Sequence, residues 1–309
     1  MLTRKQTILV KQETTYGTDP TPDNSNRVYV TEIDAASYEG DRQTRERMQQ
    51  HLGARAEVNV GPYVTLAITV PLAGSGTAGT APVFAPLLRA CAMSETVTPD
   101  TDVVYQPVSD NFESCTVYYL QDGQQQKVTG CRGTWSLNAP RGQFPTLQFN
   151  LTGFYNKPVA ASPVTITELT QADEIPVNKQ NTGVFSVHGY DAVGESLSMD
   201  LGNEVVHRNM IGAENVYITD RQPAGQINIE APDIGTKDYF AAVESHQALT
   251  LGALAFEHGT VAGNIVAIAA PQVQLSTISP QDSDGIVHYQ MDARFLPNTA
   301  DDELTLTFK

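Results

Sequence analysis

Residues 133–155 read GTWSLNAPRGQFPTLQFNLTGFY. In the second half of this stretch, Leu147, Phe149 and Leu151 alternate with polar side chains. Successive residues of a β-strand face opposite sides of a sheet, so a period of two predicts one face on an apolar core and one face in water. The stretch therefore predicts a long antiparallel strand that is solvated on one side.

The same pattern occurs a second time in the chain. WSLNAP at 135–140 aligns with LSTISP at 275–280 at an offset of 140, and at this offset Phe149 falls on Tyr289. Three earlier pairs repeat in the same order: IDAASYE at 33–39 with YDAVGES at 190–196, HLGA at 51–54 with MIGA at 210–213, and AITV at 67–70 with QINI at 226–229. Collinear matches at a long period predict an internal duplication.

Each copy also contains one segment of helical character, at 81–92 and at 236–248. The residues expected to face the core are Leu87, Leu88, Cys91 and Ala92 in the first segment, and Phe240 and Val243 in the second, where Ala241 is a further candidate. The predicted fold class is therefore mostly β (α+β), with two tandem β-sandwich or half-barrel domains that each carry one flanking helix. The domains are predicted at 28–156 and 184–309.

Two segments have too few apolar residues to fold alone. Residues 1–27 are rich in Pro, Asp, Thr and Asn, and we expect an N-terminal arm that is disordered or laid over a neighbouring subunit. Residues 157–183 are expected to be a linker between the domains, in which VTIT at 164–167 is a candidate short strand.

Charge and cysteine content narrow the function. The chain has 19 Lys and Arg against 35 Asp and Glu, a formal net charge of −16 that disfavours a grip on nucleic acid. Either simple solubility or a surface that DNA passes without adhering explains this charge. The odd set Cys91, Cys115 and Cys131 lacks a short repeating spacing, which predicts buried free thiols in a reducing compartment. Neither a signal peptide nor a membrane span is recognisable.

One short segment inverts the charge of the chain. Residues 39–55 read EGDRQTRERMQQHLGAR and contain Arg42, Arg45, Arg47 and Arg55. This segment is either a solvated loop or a projecting element that docks on an acidic surface of another copy. The matching segment at 196–212 is much less basic, so the two copies are expected to contact different partners.

Motifs for catalysis, cofactors and metals are not found. The glycine-rich stretch at 73–82 lacks the Gly-Lys-Ser/Thr ending of a phosphate-binding loop, and no two histidines have the spacing of a helical zinc site. We therefore expect no enzymatic activity, no cofactor and no metal. A carbohydrate-binding β-sandwich is a weaker alternative, because the chain has one Trp and its 12 Tyr are scattered.

Several long segments resemble a known family. These segments are similar to tail-tube proteins of siphophages, especially those of transposable Pseudomonas-type phages. They are KQTILVKQETTYGTDPTPD at 5–23, VTLAITVPLAGSGTAGTAPVFAPLLRACAMSE at 64–95 and GTWSLNAPRGQFPTLQFNLTGFY at 133–155. The resemblance covers nearly the whole chain, and its motifs are structural rather than catalytic.

The resemblance implies a structural virion protein that assembles with itself. In this family six β-sandwich domains form a ring, their inner strands join into a barrel of about 24 strands, and stacked rings conduct the genome. A duplicated chain would need three copies for each ring, so we expect trimeric, pseudo-hexameric rings with an acidic lumen. The implied inter-ring contact loop is the segment with Arg42, Arg45, Arg47 and Arg55.

The resemblance also implies partners and a location. The expected partners are the chain itself, the tape measure, terminator and distal tail proteins, and double-stranded DNA that passes without specific binding. No membrane contact is expected, and the site of action is the virion after assembly in the host cytoplasm. The alternative within this class is a tail terminator, adaptor or baseplate ring of the same fold.

Overall fold

The structure is a computed structural model that describes residues 2, 4–161, 170–244, 246 and 248–309. The strands of the first half are β1 Gln6–Gln12, β2 Arg27–Val28, β3 Glu32–Thr44, β4 Glu57–Pro71, β5 Met93–Thr98, β6 Asp102–Pro107, β7 Cys115–Gln121, β8 Gln124–Pro140, β9 Thr146–Tyr155 and β10 Val159–Ala160. Those of the second half are β11 Thr182–Val187, β12 Tyr190–Asp191, β13 Gly194–Asp200, β14 Asn203–Met210, β15 Ala213–Arg221, β16 Ala224–Glu230, β17 Leu251–His258, β18 Val266–Ser283, β19 Ile286–Leu296 and β20 Thr305–Phe308. Two short helices, α1 Ala85–Ala90 and α2 Phe240–Val243, and a 3₁₀ turn at Asn24–Asn26 complete the described elements.

The predicted mostly β fold is confirmed. Eighteen strands are hydrogen-bonded into one sheet system, and β14 and β15 form a separate hairpin. The alternating residues of β4 and β9 face the core as expected, because Ile68 lies opposite Phe149 and Phe149 lies opposite Trp135. All three side chains are fully buried, so one apolar row crosses three neighbouring strands.

The two halves of the chain have the same strand order. In the first half the antiparallel order is β3-β4-β9-β8-β7-β1. In the second half it is β13-β16-β19-β18-β17-β11, also antiparallel throughout. One short helix follows the second strand of each series, α1 after β4 and α2 after β16.

The register corrects one of the sequence offsets. Aligning Ile68 with Ile227 and Phe149 with Tyr289 requires Tyr289 to lie opposite Ile227, but Tyr289 lies opposite Ile229. The residue opposite Ile227 is Met291, so the offset between β9 and β19 is 142 rather than 140. A shift of two residues preserves the alternation of apolar and polar positions, and the sequence pattern is therefore blind to it.

Strand β8 belongs to two sheets. A bulge at Gly130, which has a φ of +63°, interrupts its pairing with β9, and a Cβ at this position would meet the ring of Phe154 at 2.7 Å. From Gln124 to Cys131, β8 pairs with β7. At its end, Ser136–Pro140 pair with Asp200–Ser196 of β13. This junction joins the two halves into one antiparallel eight-stranded sheet with the order β3-β4-β9-β8-β13-β16-β19-β18.

The expectation of a separate N-terminal arm over residues 1–27 is wrong for its central part. Residues 6–12 form β1, which pairs with β7 along its whole length. Ile8, Leu9 and Val10 are at most 3% exposed. Three consecutive apolar residues are enough to add a strand to an existing sheet edge, although they could not form a core alone.

The linker contacts both halves of the chain, and the second helix buries other residues than expected. Residues 170–181 cross between the halves, where Ala172 N donates to Gly74 O and Gly142 N donates to Val177 O. The candidate strand at 164–167 lies outside the described residues. In the first helical segment all four expected core residues are buried. In the second, Val243 is half-buried against the core as expected, but Phe240 is 40% exposed and Ala241 is also exposed, while Tyr239 and Ala242 are buried. The four-residue helix is too short for a helical period to fix its buried face.

The core confirms the prediction for the cysteines. Cys91, Cys115 and Cys131 are free and fully buried, and Cys115 lies directly opposite Cys131 on β7 and β8. Burial raises the pKa of the Cys91 thiol well above its usual value. The three thiols therefore act as small apolar side chains in the core.

The central row of the core predicts the effect of truncation. Phe149→Ala removes a fully buried ring between Ile68 and Trp135, and it should lower the free energy of unfolding by about 3–5 kcal/mol. Guanidinium titration with Trp135 fluorescence measures this loss. Phe144→Ala is the matched control, because Phe144 is 52% exposed in the turn between β8 and β9. Equal stability of the two variants would contradict the assignment of the core.

Candidate functional site

One face of the eight-stranded sheet is polar across all eight strands. Side chains that lie opposite one another in the register share this face, because paired residues point to the same side of a sheet. The residues of this polar face are Glu32, Asp34, Ala36, Thr65, Ala67, Thr69, Arg132, Thr134, Ser136, Asn138, Thr146, Gln148, Asn150, Thr152, Ser196, Ser198, Asp200, Ala224, Gln226, Asn228, Glu230, Gln274, Thr277, Ser279, Gln281, His288, Gln290, Asp292 and Arg294.

Neutral amides and hydroxyls dominate the polar face, and several of them bond to one another. Gln226 Nε2 donates to Asp292 Oδ1 at 3.0 Å, and Gln290 Nε2 donates to Gln226 Oε1 at 3.1 Å. The charged residues of the face are five carboxylates and the two guanidiniums of Arg132 and Arg294. The face is therefore mildly acidic, and most of the negative charge of the chain lies elsewhere.

The sheet has two open edges. Among the described residues, β3 pairs only with β4, and residues 276–283 of β18 pair only with β19. The corresponding end of β8 is not open, because it pairs with β13 inside the chain. Each unpaired edge presents a row of backbone N–H and C=O groups that can accept a further strand.

A long hairpin carries the four arginines predicted from the sequence. Strands β3 and β4 continue past the sheet and pair as far as Thr44 and Glu57, so the segment at 39–55 extends the hairpin rather than interrupting it. We call residues 45–56 at its end the basic tip. The Arg42 guanidinium lies 4.0 Å from the Glu57 carboxylate, and Arg55 pairs with Glu46. The structure thus places the four arginines on one projecting element, two of them beside carboxylates of the same hairpin.

The basic tip also exposes large apolar side chains, which the charge pattern alone does not reveal. Met48 and Leu52 are as exposed as in an extended chain, at 105% and 101%. Soluble monomers rarely present such apolar projections without a partner. The spacing of these two residues within a polar segment was the signal available in the sequence.

The second half supplies a shorter hairpin in the equivalent place. Strands β14 and β15 pair from Asn203 to Arg221, and Ile211 at their turn is 108% exposed. This hairpin lies beside the first, since the rings of Tyr63 and His207 are 4.9 Å apart. The two projections are therefore packed side by side.

Two polar clusters hold the second hairpin in place. Arg132 stacks over the ring of Tyr16 and donates to Val216 O at 2.9 Å, and Val216 N donates to the hydroxyl of Tyr16 at 2.7 Å. At the base of the hairpin, the Arg221 guanidinium bonds Asp301 at 2.7 Å and Glu303 at 2.9 Å. Burial opposes the charge of Asp301, but hydrogen bonds from Ser109 and Arg221 outweigh it and lower the pKa of this carboxyl.

The opposite end of the sheet has the complementary character. Here β18 turns into β19, and Ile286 and Val287 are 48% and 52% exposed beside Val193, which is 64% exposed. Glu230 N donates to Val193 O, and Ala231 N donates to Val287 O, so these segments are neighbours. A cavity of about 690 Å³ opens at this end, with Val184, Phe185, Val193 and Phe256 among its lining residues. We call this region the acidic end. Asp191 and Glu195 line the cavity, and three further carboxylates lie nearby: Glu230 bonds Val193 through its backbone, Asp282 lies opposite Val287, and Asp284 lies 4.0 Å from Arg141 of the lining.

Within the described ranges, no group of three or more His, Cys, Asp or Glu side chains is placed to hold a metal ion. No helix in the same part of the chain has the length and apolar character needed to cross a membrane.

Comparison with known proteins identifies a family for this chain. Residues 3–306 match the model of a family described as phage tail tube protein, which is nearly the whole chain. A comparison with curated proteins finds no match. The family is structural, and its members are components of the virion tail. With its mostly β fold and a match over almost its full length, the chain belongs to the phage tail tube protein family.

Proposed function

We propose that this chain is the major tail tube subunit, and that three copies close into a pseudo-hexameric ring whose lumen conducts the phage genome. The observation that carries the proposal is the eight-stranded sheet, which is polar on one face and open at both edges. The family match supports a structural role in the tail, and the ring, its lumen and the passage of DNA are inferred here.

Ring closure follows from the open edges. The free end of β18 in one copy would pair with β3 of the next, as the end of β8 pairs with β13 inside the chain. Three copies with eight strands each would give 24 strands, the number that the family resemblance implies. Barrels with far fewer strands already enclose aqueous channels, so a ring of this size leaves room for a duplex.

The division into two building blocks is part of the proposal. The repeated strand order supports domains near 28–156 and 184–309 that each supply four strands to the ring. Since β1 belongs to the first domain, that domain would begin at about residue 6 rather than at residue 28.

The polar face would line the lumen. Its five carboxylates outnumber its two guanidiniums, so the face repels phosphate on balance. Its amides are partly satisfied by one another. Such a surface offers few free donors to DNA. The lumen is therefore expected to conduct the genome without gripping it.

The two hairpins would join successive rings. A contact between different surfaces of identical subunits is heterologous, and a heterologous contact that does not close generates a filament. Arg42, Arg45, Arg47 and Arg55 are placed to steer this contact by charge. Other tail proteins, namely the tape measure, terminator and distal tail proteins, would meet the lumen and the two ends of the tube. The role is non-enzymatic, and its place is the virion, after assembly in the host cytoplasm.

Electron microscopy of the purified protein tests the proposal directly. Hollow filaments of uniform width are the expected result, because both the edges and the ends of the subunit are unsatisfied. Single rings that do not stack would favour a terminator, adaptor or baseplate ring instead. A monodisperse monomer at high concentration, with or without other tail components, would contradict the assignment.

Reversing the arginine charges should separate ring formation from stacking. The triple variant Arg42→Glu, Arg45→Glu and Arg47→Glu should keep its circular dichroism spectrum but lose filaments, because these side chains are exposed on the projecting hairpin. Arg4→Glu, Arg27→Glu and Lys157→Glu together form a control with the same change in net charge, because none of these residues lies on either hairpin. Filaments of normal length in the first triple variant would rule out a docking role for the arginines.

Adding cations to the polar face should convert the lumen into a DNA-binding surface. Gln148→Lys with Gln226→Lys places two ammonium groups on exposed positions of β9 and β16. Tubes should still assemble, but phage carrying the variant should eject DNA at least several-fold more slowly, with a stronger dependence on salt. The control is Gln148→Glu with Gln226→Glu. Identical ejection kinetics for both pairs would place this face away from the genome path.

A further inference from the structure

The acidic end contains a cavity that the ring and its lumen do not use. We propose that it receives the basic tip of a second copy of this chain in the adjoining ring, with Met48 and Leu52 entering the cavity beside Val193. The inference rests on the proposed tube and specifies the partner of both surfaces.

The first argument is apolar complementarity. Met48 and Leu52 project fully into solvent at one end of the sheet. At the other end the cavity of about 690 Å³ is lined in part by Val184, Phe185 and Val193, and its rim is only partly covered. Both apolar surfaces lose contact with water if the tip enters the cavity, which is a favourable change.

The second argument is charge. The basic tip contains three arginines against one carboxylate, that of Glu46, which pairs with Arg55. Arg42 at the base of the tip lies 4.0 Å from Glu57. In the cavity lining, Asp191 and Glu195 are matched by Arg141 and Lys179, and the excess of negative charge at the acidic end comes from Glu230, Asp282 and Asp284 beside the cavity. Arg141 is already engaged, since its guanidinium lies 3.7 Å from Glu195 and 4.0 Å from Asp284. A basic tip therefore finds an excess of negative charge at the acidic end.

The third argument is direction. The basic tip follows the end of β3, whereas the cavity lies where β13 begins and β18 ends. In the antiparallel sheet these are opposite ends of the same set of strands, so the two surfaces face away from each other within one molecule. Their contact joins two copies head to tail, which is the geometry of a growing filament.

The first hairpin fits this site better than the second. At the end of the second hairpin, residues 208–215 carry Arg208 against Glu214, whereas the basic tip carries three arginines against Glu46. Arg221 at the base of the second hairpin is bonded to Asp301 and Glu303. The second hairpin therefore offers no excess positive charge to the acidic end. This difference explains why only one of the two hairpins has a basic tip.

Cross-linking in assembled tubes tests the contact. In the variant Leu52→Cys with Val193→Cys, a short bismaleimide should give a ladder of covalent multimers on a denaturing gel. Each single variant gives at most dimers, and Leu52→Cys with Val97→Cys is the matched control, because Val97 is 46% exposed on β5. The native cysteines are fully buried and should not react, which the unaltered protein verifies. Tubes that assemble normally but yield no ladder would overturn the docking site and leave the tube function standing.

Charge exchange gives a second readout. Asp191→Lys with Glu230→Lys reverses two exposed carboxylates for which no side-chain hydrogen bond is found in the described part of the chain. This pair should reduce filament length at least tenfold, as should Arg45→Glu with Arg47→Glu, and the quadruple variant should regain filaments. Loss of filaments in both pairs without rescue in the combination would overturn the pairing. Absence of filaments in the unaltered protein would instead be a failure of the proposed function.

Discussion

The structure depends on a sheet whose backbone hydrogen bonds are incomplete within one chain. In the part of the chain that the structure describes, β3 and the end of β18 each have one side without a paired strand, and the six strands between them are paired on both sides. Soluble proteins normally keep their edge strands short, bulged or covered, because a long unpaired edge invites pairing with other chains. The junction of β8 with β13 shows how this sheet continues from one half to the next, through five consecutive residue pairs with no shift in register. Self-assembly is therefore a property of the backbone before any side chain is considered.

The two faces of the same strands divide the work. On one side, Ile68, Phe149 and Trp135 form a continuous buried apolar row across β4, β9 and β8. On the other side, the neighbouring positions carry amides and hydroxyls that bond to one another, as Gln226 does with Gln290 and Asp292. For the lumen proposed above, few charges and few free donors on this face would let a polyanion pass without adhesion, and a dense array of carboxylates is not needed. Strand alternation supplies both faces at once.

The halves share a strand order but not their surfaces. The first hairpin ends in a basic tip with Met48 and Leu52, while the second is shorter and is tied down through Arg132 and Arg221. The acidic end lies on the second half, beside Val193. Duplication thus provides a common frame, and the differences between the copies give the subunit two unlike ends. Unlike ends are what a filament of stacked rings requires.

The sequence by itself determined the β fold, the position of the core strands and the charge of the projecting segment, because alternation and composition are local properties. Ile68 and Phe149 were identifiable as core residues, whereas the offset of 142 between β9 and β19 was not, since alternation repeats every two residues. Only the tertiary structure decided that β1 completes the sheet, that Phe240 stays exposed, and that the two edges remain open. Those outcomes depend on which strands become neighbours across more than a hundred residues, and no local pattern encodes that choice.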